Sequence, residues 1–404
     1  MSPLPLLSAM VIGLAGGASA PPTAPVLRVA TYNIALNADA PGGVIERLQR
    51  GDADARRLAA VIQHVRPDIL LLNELDFDEA GRAAELFRMN YLGVGQLRQA
   101  PINYPYFFSA PVNTGIDSGL DLDGDGALGG PGDAWGFGRH PGQYGMLVLS
   151  RYPIDTSAAR TFQTLRWADL PGAVGPLHPD TGTPWYAPKI WAQLRLSSKS
   201  HWDLPIDTPL GRIHLLAAHP TPPAFDGPEQ RNVARNADEI RLWLQYLDGA
   251  GWMRDDHGRE GGLADDARFV IAGDLNADPV DGSGRREIIQ ALLDHPRVQA
   301  TPTPHSAVSP TAALTLSSDN GAALAAVEPG RDSNTGTGSD TADFGERSGQ
   351  LRVDYVLPSI GFTVQRAGVF WPKRGETGSD WVTASDHRLV WVDLMPGTDT
   401  QDRD

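Results

Sequence analysis

Apolar residues run along this chain in short stretches, alternating or unbroken, and most of these stretches end on a polar residue. Val26 to Ile34 alternates around β-branched residues and predicts a first strand. Ala55, Leu58, Ala59, Ile62 and Val65 recur at helical spacing, and Pro67 ends that helix before Asp68 to Leu72 resumes as a buried strand. Further strands are predicted over Met146–Ser150, Ile190–Leu196, Arg212–Ala218, Arg268–Gly273, Arg352–Leu357, Thr363–Phe370 and Arg388–Leu394. Val233, Ala237, Ile240, Leu244 and Leu247 give another helix a single apolar face, expected to open on a capping box of Asp226 and Glu229 with Pro228 in its first turn. That helix begins just beyond His219, which it would mount rigidly.

Three stretches lack core patterning. Residues 95–142 carry Pro, Gly and Asp; residues 161–188 mix Pro with Trp167, Trp185 and Tyr186; residues 301–350 are rich in Ser, Thr, Gly and Ala. Loops of this length inside a compact domain are functional or disordered. Candidate site residues come from both ends of the sequence, so residues 26–395 are expected to fold as one catalytic unit, with 396–404 a disordered tail.

Net charge of −15 over 404 residues argues against nucleic-acid binding through a broad basic surface, while leaving room for a local Arg groove. Basic residues are nearly all Arg; only Lys189, Lys199 and Lys373 are lysines. The absence of cysteine excludes disulfides, thiol nucleophiles and thiolate zinc sites. Leu4 to Gly16 is apolar and Ala18-Ser19-Ala20 follows in the small-x-small pattern of a cleavage site, so residues 1–20 are expected to be a signal peptide and the protein secreted or periplasmic.

The polar residues at strand ends carry the chemistry. Asp274 and Asn276 lie one residue apart, where a carboxylate accepts a proton from water and an amide orients that water or a phosphate oxygen. Alone, Gly273-Asp274-Leu275-Asn276 reads equally well as a turn. Asp386 and His387 adjoin, able to serve a metal and a phosphate from one place, with His387 stabilising phosphoryl charge or protonating a leaving oxygen. Glu74 and Asn33, each after an apolar run, suit Mg²⁺ with room for water and substrate. Each match is weak; four in order are improbable by chance.

Thr31-Tyr32-Asn33-Ile34, Pro67 through Glu74, Gly145 through Pro153, Ala218-His219, Gly273 through Asn276, Val353 through Val356 and Ser385-Asp386-His387 together resemble the endonuclease/exonuclease/phosphatase superfamily. The resemblance implies a four-layered α/β sandwich, two packed mixed sheets flanked by helices, of the deoxyribonuclease I type. It implies metal binding by Asn33, Glu74 and Asp386, water activation by Asp274 with Asn276 positioning, and a transition-state role for His387 paired with Asp354. His219 would be a second histidine, acting as general acid or phosphate ligand. Two features depart from the pattern: only Gln143 and Tyr144, not an acid, precede Gly145 to orient His219, and Asn73 stands where Gln is usual, with Asp76 as an additional carboxylate.

The expected activity is therefore metal-dependent hydrolysis of a phosphomonoester or phosphodiester by direct water attack, with Mg²⁺ or Mn²⁺. The alternatives are an extracellular nuclease acting on nucleic acid, a sphingomyelinase-like enzyme acting on membrane lipid through exposed aromatics such as Tyr104, Tyr106, Phe107 and Phe108, and, last, a non-catalytic binding module. No obligate protein partner is implied. Lys199, His201 and Arg231 are further candidates for phosphate contact. Asp121, Asp123 and Asp125 alternate before a glycine like the first half of a calcium loop, without its final Glu, and read as a structural Ca²⁺ site or a plain acidic turn.

Overall fold

The computed structural model describes residues 25–306, 338–346 and 348–397. The expected signal peptide, most of 301–350 and nearly all of 396–404 lie outside the described residues. In chain order the elements are β1 (Leu27–Leu36), α1 (Gly43–Arg50), α2 (Ala53–Val65), β2 (Ile69–Leu75), α3 (Arg82–Leu86), β3 (Tyr106–Phe108), β4 (Met146–Ser150), β5 (Arg160–Thr161), α4 (Pro188–Trp191), β6 (His201–Thr208), β7 (Gly211–Ala218), α5 (Arg231–Leu247), β8 (Phe269–Asp274), α6 (Arg286–Leu293), β9 (Ala342–Asp343), β10 (Gln350–Leu351), β11 (Asp354–Pro358), β12 (Phe362–Val369) and β13 (Val390–Pro396).

Two mixed sheets form the centre. One has the order β12-β13-β1-β2-β4-β3 and the other β11-β8-β7-β6-β5, with β9 and β10 forming a separate ribbon. The period-two alternation of strands assigns the faces. Val29, Ile69, Leu71, Val148, Leu204, Leu215, Val270 and Val356 fill the space between the sheets. Ala30, Tyr32, Leu70 and Leu72 face outward against α1 and α2, while Leu216, Ile271 and Tyr355 face outward against α5 and α6. Helix, sheet, sheet, helix makes the four-layered α/β sandwich. Each aliphatic side chain fully buried between the layers contributes about 1.5–3 kcal/mol relative to exposure.

Three expectations need correction. Ile190–Leu196 is not a strand: α4 occupies Pro188–Trp191, and the strand pairing with β7 is β6. Its sequence, His-Trp-Asp-Leu-Pro-Ile-Asp-Thr, does alternate, with Trp202, Leu204 and Ile206 facing the core, but Pro205 and the two aspartates on the other parity are residues that strands disfavour. Pro205 is tolerated because it faces away from β7, toward residues 153–155, which bond β6 there through the Asp155 amide to the Pro205 carbonyl and the Asp207 amide to the Pro153 carbonyl without needing a Pro205 N–H. Next, α5 begins at Arg231 rather than at Pro228. Asp226 still caps it, accepting from the amides of Asn232 (2.8 Å) and Val233 (2.9 Å) across a longer loop. Finally, the 161–188 stretch belongs partly to the core: Phe162, Leu165, Trp167 and Leu170 pack beneath α5.

Candidate active site

The buried inner face of each sheet ends on a polar side chain. Inward parity runs from Val29 through Thr31 to Asn33, from Ile213 through Leu215 and Ala217 to His219, from Val270 through Ala272 to Asp274, and from Val356 to Asp354. Register aligns these ends, with Asp354 opposite Asp274 and Asn33 opposite Asn73. Gly273 permits the close approach of β7 and β8, since a Cβ there would meet the Ala218 carbonyl oxygen at 2.0 Å.

Side chains bridge the two sheets here. Asn33 Nδ2 donates to Glu74 Oε1 and to Asp274 Oδ2, both at 3.0 Å, and lies 3.5 Å from His387 Nε2. His387 Nδ1 bonds Asp354 Oδ2 at 2.9 Å, and its Nε2 is 3.6 Å from Asp274 Oδ2. His219 Nε2 lies 3.4 Å from Asp274 Oδ2 and 3.9 Å from Glu74 Oε1. Asp386 stands at the mouth, half-exposed, 4.0 Å from His387 Nε2. Glu74 adopts a left-handed backbone (φ 62°), a strained conformation for a non-glycine residue of the kind that collects at functional sites.

Electrostatics separates the two histidines. Burial disfavours charge on His387, but the carboxylates of Asp354 and Asp274 and the hydrogen bond to Asp354 outweigh it and hold the pKa well above the usual value. Burial, then the nearby Lys199 and His387, push His219 well below it. His387 is thus the imidazolium and His219 the neutral ring. Burial and then the like charge of Asp354 raise Asp274, against the lowering influence of His387 and Asn33.

A family model, the Endonuclease/Exonuclease/phosphatase family, matches residues 30–387. The chain belongs to this family. Among solved structures, a family member from Beutenbergia cavernae is 23% identical, with 92% of this chain and 72% of that one covered and a TM-score of 0.49. Another, from Leptotrichia buccalis, is 14% identical, covering 91% of this chain and 99% of that one at a TM-score of 0.47. Sphingomyelinase C from Streptomyces griseocarneus is 17% identical, covering 91% and 99% respectively at a TM-score of 0.45. No curated protein matches significantly.

The carboxylates and amides gathered here fit a hard divalent cation. Glu74 and Asp386 keep solvent access beside buried Asn33 and Asp274, all of them oxygen-bearing. Burial first, with the charge of Asp386 among the further causes, raises the pKa of Glu74, so its charged form is disfavoured here without a nearby cation. Asp274, Asp354 and His387 also have ligand atoms within 4.8 Å of one another. Two of these three are hydrogen-bonded to each other, so the trio reads as proton-handling machinery rather than a metal cage.

Other candidates take different places. Asn276 is left-handed (φ 51°); its amide N–H donates to Asp274 Oδ1 (2.9 Å) and its side chain to the Pro220 carbonyl (3.1 Å), so it buttresses the Asp274 turn. His201 corrects the expectation of a phosphate contact, because Ser197 Oγ (2.7 Å) and the Glu239 carbonyl (3.0 Å) engage both ring nitrogens in the core. Arg231 is likewise turned away to the Leu122 carbonyl (2.9 Å). Asp76 accepts from the amides of Ala38 and Tyr144, tying loops together. Asp121 and Asp123 meet Asp133 rather than Asp125, whose Oδ1 caps the Ala127 amide, and the loop consists of side-chain-capped turns. Tyr104 is buried, and Tyr106 pairs with Ser150 at the sheet end opposite the site.

Several supporting residues escape sequence reasoning. Thr341 Oγ1 accepts from the amides of Val353 (3.0 Å) and Asp354 (2.9 Å), and Phe344 packs edge-on against His387. Ser385 Oγ donates to the Asn33 carbonyl and accepts from the His387 amide, locking that loop to β1. Among the described residues His219 Nδ1 has no hydrogen-bonding partner, and Gln143 and Tyr144, not an acid, precede Gly145.

Proposed function

We propose that this family member is an exported, divalent-metal-dependent phosphoesterase that cleaves a phosphomonoester or phosphodiester by direct attack of water. The observation that carries the reading is the convergence of Asp274 with a carboxylate-oriented imidazolium, His387, between two sheet ends. Glu74, Asp386 and Asn33 would hold Mg²⁺ or Mn²⁺, which when bound polarises the phosphate and offsets charge developing on it. Asp274 accepts the proton of the attacking water, its raised basicity matched to work near neutral pH. His387, kept charged and aimed by Asp354, donates to the phosphoryl oxygens and is the available proton source for the leaving oxygen. Neutral His219 adds a hydrogen bond rather than a stored proton. The apolar stretch Leu4–Gly16 before Ala18-Ser19-Ala20 supports export, and the mass of the mature protein, expected to begin near Pro21, tests it.

One observation favours a membrane lipid ester as a second reading of the substrate. Phe137 and Phe225 are 60% and 51% exposed, Phe137 next to Gly136, which lies against the Ser198 carbonyl, and Phe225 six residues after His219 in the loop before α5. Exposed aromatics there suit insertion at a lipid surface. Product release from plasmid DNA, bis-p-nitrophenyl phosphate, p-nitrophenyl phosphate and sphingomyelin vesicles, with Mg²⁺ and with EDTA, separates the readings. Metal-dependent turnover of a small ester is expected; turnover confined to vesicles selects the lipid reading, and turnover confined to DNA selects a nuclease. Metal-independent binding without turnover of any of them would overturn the proposal in favour of a binding module.

A further inference from the structure

Four neighbouring strands of the second sheet meet the same rim, and the fourth brings a cation that the chemistry above leaves unused. Pairing of Asp354 with Asp274, of Ala217 with Ala272 and of His201 with Ala218 sets Asp354, Asp274, His219 and the Ser198–Ser200 turn side by side. Lys199 is the middle of that turn. It is only 6% exposed, and among the described residues its ammonium makes no direct hydrogen bond or ion pair. Its Nζ is not among the fully buried side-chain nitrogens without a partner, so the ammonium keeps some contact with solvent through which a ligand can reach it, while burial of most of the side chain lowers its pKa.

The turn is nonetheless firmly built. Glu239, fully buried on α5, accepts through Oε1 from the Ser198 amide (2.6 Å) and hydroxyl (2.9 Å), and through Oε2 from the Thr221 amide (2.7 Å). Asn236, one helical turn earlier, donates to the carbonyls of Thr221 (2.8 Å) and Leu275 (3.0 Å). The Lys199 carbonyl accepts from Asn113 (2.9 Å). One helix face thus ties together the segments bearing Lys199, His219 and Asp274. The Glu239 oxygens are occupied by these donors, so Glu239 offsets the ammonium at a distance without pairing with it. The same ammonium is felt at Glu74, Asp274 and His219.

We infer that Lys199 is a substrate-binding residue whose ammonium meets a non-bridging oxygen of the ester phosphate presented to Asp274 and His387. The inference rests on the phosphoesterase reading. An anionic phosphate supplies the contacting counter-ion that the protein withholds, in a charge-assisted hydrogen bond. As a compact point charge with three donors, an ammonium can follow the oxygen as charge builds on it.

The test measures kcat and KM for bis-p-nitrophenyl phosphate with Mg²⁺, inorganic phosphate affinity by calorimetry, and Tm, in the wild type, Lys199→Met and Lys199→Arg. Lys199→Met is expected to lose about 10²-fold in kcat/KM and about tenfold in phosphate affinity, with Lys199→Arg recovering part of the latter. If Lys199→Met keeps kcat/KM and phosphate affinity within about twofold of wild type, Lys199 is a counter-charge for Glu239 and the inference is overturned. Should Lys199→Met not fold, the double variant Lys199→Met/Glu239→Gln removes both buried charges and is read the same way. A wild type without metal-dependent turnover defeats the phosphoesterase reading instead, and the calorimetry then decides Lys199 alone: unchanged or undetectable phosphate binding overturns it.

Discussion

Asp354 touches neither Asn33 nor Glu74, yet it sets the charge state of the site. Its carboxylate raises the pKa of both His387 and Asp274. The proposed mechanism needs Asp274 deprotonated and His387 protonated, so activity should fall as pH drops through the first pKa and as pH rises through the second. Removing the Asp354 charge lowers both. Asp354→Asn should therefore move both limbs of the kcat/KM–pH profile to lower pH, while lowering its height by about 10²-fold through loss of imidazolium stabilisation. A variant profile with unmoved limbs would contradict this coupling. At this scale the sequence was legible where inward parity delivers a polar side chain to a strand end, as for Asn33, His219 and Asp274. Thr341 and Ser385 were not legible, because each acts on backbone groups and leaves no pattern of spacing. His201 misled for the converse reason: its position beside the rim says nothing of the Ser197 and Glu239 partners that engage it.

Among the elements, α5 does most to assemble the site end of the second sheet. Its start depends on Asp226, which accepts from two first-turn amides and places negative charge near the positive end of the helix. Asp226→Ala should cost about 1–2 kcal/mol, read as a lower Tm or denaturant midpoint; unchanged stability would show that other groups satisfy those amides. The helix itself is plain in the 3.6-residue apolar period, whereas its first residue is not, because the cap spans a loop longer than the usual box. Strands with continuous apolar runs, such as β2 and β8, are equally plain. β6 is not, since its alternation of Trp202, Leu204 and Ile206 is short and shares the strand with Pro and Asp, whose low strand propensity the pairing with β7 overrides.

For the whole molecule, the decisive arrangement is two sheets packed face to face so that residues hundreds of positions apart share one buried cluster. Asn33 and Asp274 are 241 residues apart and hydrogen-bonded. No local signal foretells such a contact; the ordered set of strand-end motifs does, through the fold it implies. The acidic surface, with net charge −15, disfavours long-range capture of a polyanion and leaves binding of substrate to local groups at the rim. The central claim is that Asp274 activates water for a metal-dependent attack on phosphorus. It is tested most directly by kcat/KM for bis-p-nitrophenyl phosphate in the wild type and in Asp274→Asn, each with Mg²⁺ and with EDTA, alongside Tm. The account predicts turnover that EDTA abolishes and that Asp274→Asn reduces by about 10³-fold or more in a variant that a cooperative thermal transition shows to be folded. Turnover that survives EDTA, or that persists in a folded Asp274→Asn variant, would contradict it.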